Sequence, residues 1–142
     1  VTVKTSNSGD LNWLLDDLVN RLAGVRYAVV LSTDGLLLGR STSMSREDAE
    51  HFGAMSATLY GLARSAGHRF QGGSVRQAVI ELENAVMFVT AAGSNACIAL
   101  QANDTANLGM VAYEMNLTVQ RVGSYLSADP RNGVPSTERR LP

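Results

Sequence analysis

The chain has 142 residues, of which 45% are hydrophobic and 18% charged, and its net charge is −1. That length and balance fit one folded domain and argue against a disordered chain. No basic surplus is present to neutralise phosphates, so nucleic acid is not an expected partner.

Residues 1–9 read as a mobile N-terminal arm. Asp10 is a candidate N-cap for LNWLLDDLVNRLAG, where Leu11, Leu14, Leu15, Leu18, Val19 and Leu22 form one helical stripe. Gly24 stands where a helix end favours positive φ. RYAVVLS (26–32) and LLLGRS (36–41) read as two strands. Asp34-Gly35 between them supplies the positive φ angles of a tight antiparallel hairpin.

A second helix is expected over 45–67. Ser45 with Asp48 resembles a capping box, and Phe52, Met55, Leu59, Ala63 and Ala66 mark the expected core stripe. QGGS (71–74) is a turn. Strands follow at 74–83, 85–92 and 96–102, and the last two are apolar almost without alternation, as central strands covered on both faces are. Asp104 and Thr105 are cap candidates for a third helix, with its stripe at Leu108, Val111, Met115, Val119, Val122 and Leu126. All three prolines fall within the polar stretch 129–142, which reads as a flexible tail. The folded domain is then 10–128. Its order is α-β-β-α-β-β-β-α, an α/β (α+β) sandwich with a five-stranded antiparallel sheet between helices.

Catalytic patterns are missing from the sequence. It holds no GxxxxGK[ST], GxGxxG, CxxC or HExxH pattern. His51 and His68 share one helix but point in different directions and lack a third ligand, so neither a metal nor a cofactor is expected. Cys97, the single cysteine, excludes an internal disulfide and fits a reducing compartment. It lies in the most apolar strand and reads as a small core residue, not a nucleophile. Glu81 and Glu83 share a strand face and read as solvated rather than catalytic. No apolar run reaches the ~20 residues of a membrane span, and VTVKTSNSGD lacks the apolar centre of a secretory signal. A cytoplasmic location is expected, with any membrane association through partners.

The middle helix carries an unusual outer face. With Phe52, Met55, Leu59 and Ala63 turned inward, the opposite side holds Glu50, Ala54, Ala57, Gly61 and His68, and Gly53, Ala57 and Gly61 step by four along one flank. Mid-helix glycines cost roughly 1 kcal/mol each against alanine. A small, nearly uncharged face lets another backbone come close, so a protein interface is favoured over an alanine-rich solvent face. Tyr60, Arg46, Arg64 and His51 form its polar rim.

The order α-β-β-α-β-β-β-α, the stretch VVLSTDGLLLGRS with Asp34-Gly35 and Gly39, and the later AVMFVTAAGSNACIAL resemble the Roadblock/dynein light-chain family, over about residues 10–127. The resemblance implies a profilin-like fold and is nearest to bacterial members of the actinobacterial type, encoded beside a sensor-kinase-like protein and a small Ras-like GTPase. It implies homodimers in which third strands pair edge to edge and middle helices lie side by side, with the GTPase docked on the helix pair. Carried onto this chain, Gly53, Ala54, Ala57, Tyr60, Gly61 and Arg64 of the helix, and Val75, Gln77 and Val79 of the strand, become the expected interface. Some bacterial relatives activate GTP hydrolysis; others are scaffolds. Arg46 and Arg64 are the candidates for an inserted arginine, although repositioning of the GTPase's own residues is the favoured reading. The leading expectation is a non-enzymatic dimeric regulator of a small Ras-like GTPase. The alternatives are a scaffold without effect on hydrolysis and a small-ligand sensor, for which Thr90 and Ser94 are the best polar core candidates.

Overall fold

The computed structural model describes residues 2–127, with side chains from Leu11 to Leu126. The elements are α1 (Thr2–Arg21), β1 (Val25–Ser32), β2 (Leu37–Arg40), α2 (Arg46–Arg69), β3 (Ala78–Glu81), β4 (Ala85–Ala91), β5 (Ala96–Asn103) and α3 (Leu108–Ser127). The order matches the expected one. The expected tail, 129–142, lies outside the described residues.

The five strands form one antiparallel sheet in the order β2-β1-β5-β4-β3. β4 and β5 are buried along nearly their whole length, so both of their faces need cover. Alternate side chains supply two separate cores. Ile98 and Leu100 of β5 point to one side, where α1 and α3 bring Leu15, Leu18, Met115 and Val122. Cys97 and Ala99 point to the other, where Phe52 of α2 meets Val29, Leu31, Met87 and Val89. Each large side chain so enclosed stabilises the fold by about 1.5–3 kcal/mol. An edge-on contact between the Tyr27 and Phe52 rings, with centroids 5.1 Å apart, ties α2 to β1.

The first hairpin follows a slightly different rule from the one expected. Gly35 takes φ 97°, but Asp34 does not leave the negative region. The loop is closed by Gly35 N–H to Ser32 O and Ser32 N–H to Leu36 O, and the ladder then slips by one residue between Val30 and Leu31. One left-handed glycine followed by a bulge replaces two consecutive positive φ angles.

Three boundaries also differ. α1 begins at Thr2, so Asp10 is an interior residue rather than a cap and residues 2–9 are helical. Once a helix is nucleated on packed turns, each added residue gains a hydrogen bond at little further cost. α3 is capped by Asn107, whose Oδ1 accepts from Met110 N–H at 3.1 Å, not by Asp104 or Thr105. Thr105 instead donates to Asn103 Oδ1, because this turn is spent on closing the end of β5. β3 is only Ala78–Glu81, far shorter than 74–83. The amides of Gly72 and Gly73 both bond Gly67 O, which holds the chain against the end of α2 and delays its entry into the sheet. A Cβ on Gly67 would stand 2.2 Å from Gly73 O, so this return needs a glycine.

The sheet's two edges are treated differently. At the β2 edge, α1 reaches over: Asn12 Oδ1 accepts from Arg40 N–H at 2.8 Å and Asp16 Oδ1 from Thr42 N–H at 2.7 Å. Asn12→Ala leaves a half-buried amide without its acceptor, an expected loss of about 1–3 kcal/mol in urea unfolding. Asn12→Asp keeps the acceptor and is expected to stay within about 1 kcal/mol of the parent.

Candidate functional site

α2 starts as its sequence indicates. Ser45 has extended backbone and its hydroxyl accepts from Asp48 N–H at 3.0 Å. The helix runs on to Arg69, which adds a third arginine to Arg46 and Arg64. Arg46 pairs with Glu50 at 3.4 Å on an open surface. The Arg64 guanidinium lies 5.9 Å from the centre of the Tyr60 ring.

The face turned to the sheet is not the one the apolar spacing suggested. Ala49, Phe52, Gly53, Ser56 and Tyr60 are buried. Of the expected core stripe only Phe52 is fully enclosed. Leu59 and Ala63 are half-buried, Ala66 is exposed, and Met55 is 57% exposed. Leu62, two turns beyond Met55, is 68% exposed. The cause is proximity. Small side chains at Ala49, Gly53 and Ser56 let the helix lie close on the sheet, and the Ser56 hydroxyl is satisfied by donating to Phe52 O at 2.7 Å. Larger residues are displaced outward.

This rotation redistributes the expected interface residues. Gly53 is buried, and a Cβ there would meet Leu37 Cδ1 at 3.9 Å, so it faces the sheet and not a partner helix. Tyr60 is likewise buried rather than part of an outer rim. Ala57 is half-buried beside Gly35. Ala54, Gly61 and Arg64 are exposed, and a Cβ on Gly61 would find open space. On the strand side, Val75 is half-buried while Gln77 and Val79 are exposed, Val79 by 46%. The outward residues are therefore Ala54, Met55, Gly61 and Leu62 on α2; Gln77 and Val79 are exposed on the β3 edge strand, on the face of the sheet opposite α2. Met55 and Leu62 were readable as a seven-residue spacing, but the same spacing placed Met55 in the core.

β3 is the uncapped edge. Its ladder with β4 pairs Ala78 with Val89 and Ile80 with Met87, and the hairpin closes by Leu82 N–H to Ala85 O at 2.7 Å. In an antiparallel ladder the hydrogen-bonded positions alternate. The backbone groups of Ala78, Ile80 and Leu82 thus turn to β4, and those of Val79 and Glu81 turn away from the sheet.

Between the second half of α2, the turn after it and the β4–β5 turn lies an open groove of about 1010 Å³. Its walls include Tyr60, Arg64, His68, Arg69, Ser74 and Ser94. Ser94 is thus an exposed groove residue and not a core one, whereas Thr90 is buried and accepts from Gln77 Nε2 at 3.5 Å. Among the described residues no group of three or more His, Cys, Asp or Glu side chains is placed to hold a metal ion, and no helix is long and apolar enough to cross a membrane. Glu81 and Glu83 are exposed.

A family model for the Roadblock/LC7 domain matches residues 11–102. The chain belongs to the Roadblock/LC7 family. A Roadblock/LC7 domain from Streptomyces avermitilis is 41% identical, covers 81% of this chain and 96% of its own, and superposes with a TM-score of 0.78. MglB from Myxococcus xanthus shares the fold at 13% identity, with a TM-score of 0.76 over 84% of this chain and 96% of its own. The profilin-like character of this Roadblock fold is visible in profilin II from Acanthamoeba castellanii, at 16% identity and a TM-score of 0.52 over 71% of this chain and 86% of its own. No curated protein sequence matches.

Cys97, fully buried in this Roadblock domain, has its thiol pushed up to about 11 by loss of solvent, with Arg64 pulling weakly the other way. The folded state thus holds its proton more tightly than the unfolded chain, whose thiol titrates near 9. Stability that is fully present below pH 9 is lost as pH rises toward 11. The urea midpoint is expected to fall across that window, and Cys97→Ala to remove Cys97's share of the fall. The native thiol is expected to resist alkylation at pH 7.5 and to react once unfolded.

Proposed function

We propose that this Roadblock domain is one half of a homodimeric regulator of a small Ras-like GTPase, with the β3 edge used for self-association and the outer face of α2 turned to the GTPase. The carrying observation is that α2 encloses small residues and exposes Met55 and Leu62. Exposed apolar side chains lose little by staying in water singly, but a stripe of them beside an unpaired strand edge is what a partner covers. Family membership supports the same reading, because bacterial Roadblock proteins serve small GTPases. No side-chain assembly for chemistry accompanies the stripe, so any effect on GTP hydrolysis runs through the conformation of the GTPase's own residues. The exposed Arg46 and Arg64 are both engaged within α2, with Glu50 and Tyr60. A sensor-kinase-like protein is a further expected partner. The groove beside Arg64 is open to solvent and sets Arg64, His68 and Arg69 beside Tyr60 and Val75, unlike the enclosed and mostly apolar pocket usual for a small molecule, which disfavours the sensor alternative.

Val79→Pro separates the two surfaces. The Val79 N–H points away from β4, so proline there removes a donor the fold does not use. Sedimentation is expected to show a folded monomer for Val79→Pro and a dimer for the parent at micromolar concentration; a parent that sediments as a monomer overturns the dimer. Met55→Glu with Leu62→Glu is expected to weaken binding of a cognate small Ras-like GTPase by roughly tenfold or more. Unchanged binding excludes α2's outer face as the docking surface. Single-turnover GTP hydrolysis with and without the protein distinguishes an activator from a scaffold.

A further inference from the structure

The groove at the end of α2 is chemically one-sided. Arg64, His68 and Arg69 line it along the helix, Ser74 and Ser94 supply hydroxyls on the other walls, and among the described residues no carboxylate borders it. Cationic side chains in the last turn of a helix usually serve its own carbonyls. Here that need is met by backbone: Phe70 N–H bonds Ala66 O, and the amides of Gly72 and Gly73 bond Gly67 O. Ion pairing does not take up the arginines either. Arg21, Arg46 and Arg121 each pair with a carboxylate of this domain and Arg40 donates to Met44 O, whereas Arg64 and Arg69 have no such partner among the described residues. The Tyr60 ring holds Arg64 with its centre 5.9 Å from the guanidinium. A guanidinium lying on a ring face keeps its in-plane N–H donors for a ligand.

Charge spacing decides between a small anion and an extended one. A single phosphate is gripped where donors converge on it. Arg64 and His68 instead follow one another at i and i+4 along α2, a rise of about 6 Å. In an extended peptide, side chains two residues apart share one side and stand about 6.6 Å from each other. The two repeats match. The volume of the groove, about 1010 Å³, is also at the upper end for a whole small ligand and far more than one phosphate fills. Its far wall is set in place: Gln71 takes φ 59°, and the turn it begins is tied to Gly67. At about 100° per residue, Arg64 and His68 fall on the flank of α2 away from Met55 and Leu62, so the groove and the apolar stripe are separate surfaces.

We propose that this groove binds an extended acidic segment of a partner protein, with carboxylates at alternate positions meeting Arg64 and His68 and Arg69 closing the run. His68 offers a ring N–H in either protonation state. The site goes beyond the regulatory reading above and does not depend on a GTPase docking at Met55 and Leu62.

The test is fluorescence anisotropy of the full chain at low salt, with a dye-labelled synthetic peptide of alternating glutamate and serine as the probe. Saturable binding is expected, weakening as salt is added. Arg64→Glu is expected to weaken it by roughly tenfold or more, since an attraction becomes a repulsion. Arg64→Lys keeps the charge without the planar fork and is expected to fall between the two. Arg26 is exposed on β1 and outside the groove. Arg26→Glu makes the same change in net charge and is expected to leave binding within about twofold. A peptide carrying its glutamates in one block is expected to bind more weakly, because alternate ones turn away from α2. Absence of saturable binding, or equal weakening by Arg26→Glu, overturns the groove as the site. Equal binding of the block peptide, or displacement of the probe by inorganic phosphate at the same concentration, overturns the extended acidic segment in favour of a small anion.

Discussion

Everything in this domain follows from the central β4–β5 hairpin being apolar on both faces. Each of its strands is buried without interruption, from Ala85 to Thr90 and from Ala96 to Leu100, and neither face can be left to water. Cover must come from two directions. α1 and α3 take one face and α2 the other, giving two cores that share no side chain. Because α1 also reaches the β2 edge through Asn12 and Asp16, the layer with two helices closes its side of the sheet. The layer with one helix does not. The asymmetry between β2 and β3 is thus a consequence of α1 reaching one edge of the sheet and not the other. α1 and α3 are held to each other by Arg21, which bonds both Asp17 and Glu114, and by Arg121 near Asp17. Those ion pairs are partly solvated and orient the helices more than they stabilise them.

α2 shows how packing distance decides surface character. A helix with Ala49, Gly53 and Ser56 against the sheet sits close, and its contacts come from backbone and small groups rather than from interdigitating large ones. Phe52 and Tyr60 take the remaining inner space, and Met55 and Leu62 are left on the outside. The two glycines of the helix do opposite jobs. Gly53 permits the close approach inward, near Leu37, while Gly61 leaves a space on the outer surface. A single small-residue stripe read from the sequence is thus two features on two sides of one helix.

How far the sequence could be read depends on which interactions are local. The order of elements, the buried hairpin β4–β5, the Ser45 cap and the fate of Cys97 were all legible, because each rests on periodicity or on a contact within a few residues. The phase of α2 was not. Met55 and Leu59 looked like core by size, and nothing local announces that Gly53 and Ser56 would win the inner face through close packing with a sheet distant in sequence. The length of β3 depends on Gly67 O receiving two amides from beyond the helix end. The capping of β2 by Asn12 and Asp16 spans the gap between α1 and the first hairpin. Side chains that bond across elements leave no periodic trace. The candidate site suffered accordingly: its helix and its strand were both identified, but Gly53 and Tyr60 were assigned to the surface, and Met55 to the core.

Among the described residues the chemistry-bearing side chains are dispersed. The domain's one thiol is sealed in the α2-side core, its carboxylates Glu81 and Glu83 are solvated, and its α2 arginines are spread along the helix at Arg46, Arg64 and Arg69 rather than converging on one point. What is concentrated is unsatisfied surface, and it is concentrated on one side: α2 packs on the same sheet that ends in β3, so the apolar stripe and the open edge are neighbours. Under the proposed self-association, a second copy joined at β3 would add a second α2 stripe to the apolar area offered to a partner. A regulator built this way needs no reactive group, only a sheet edge left open.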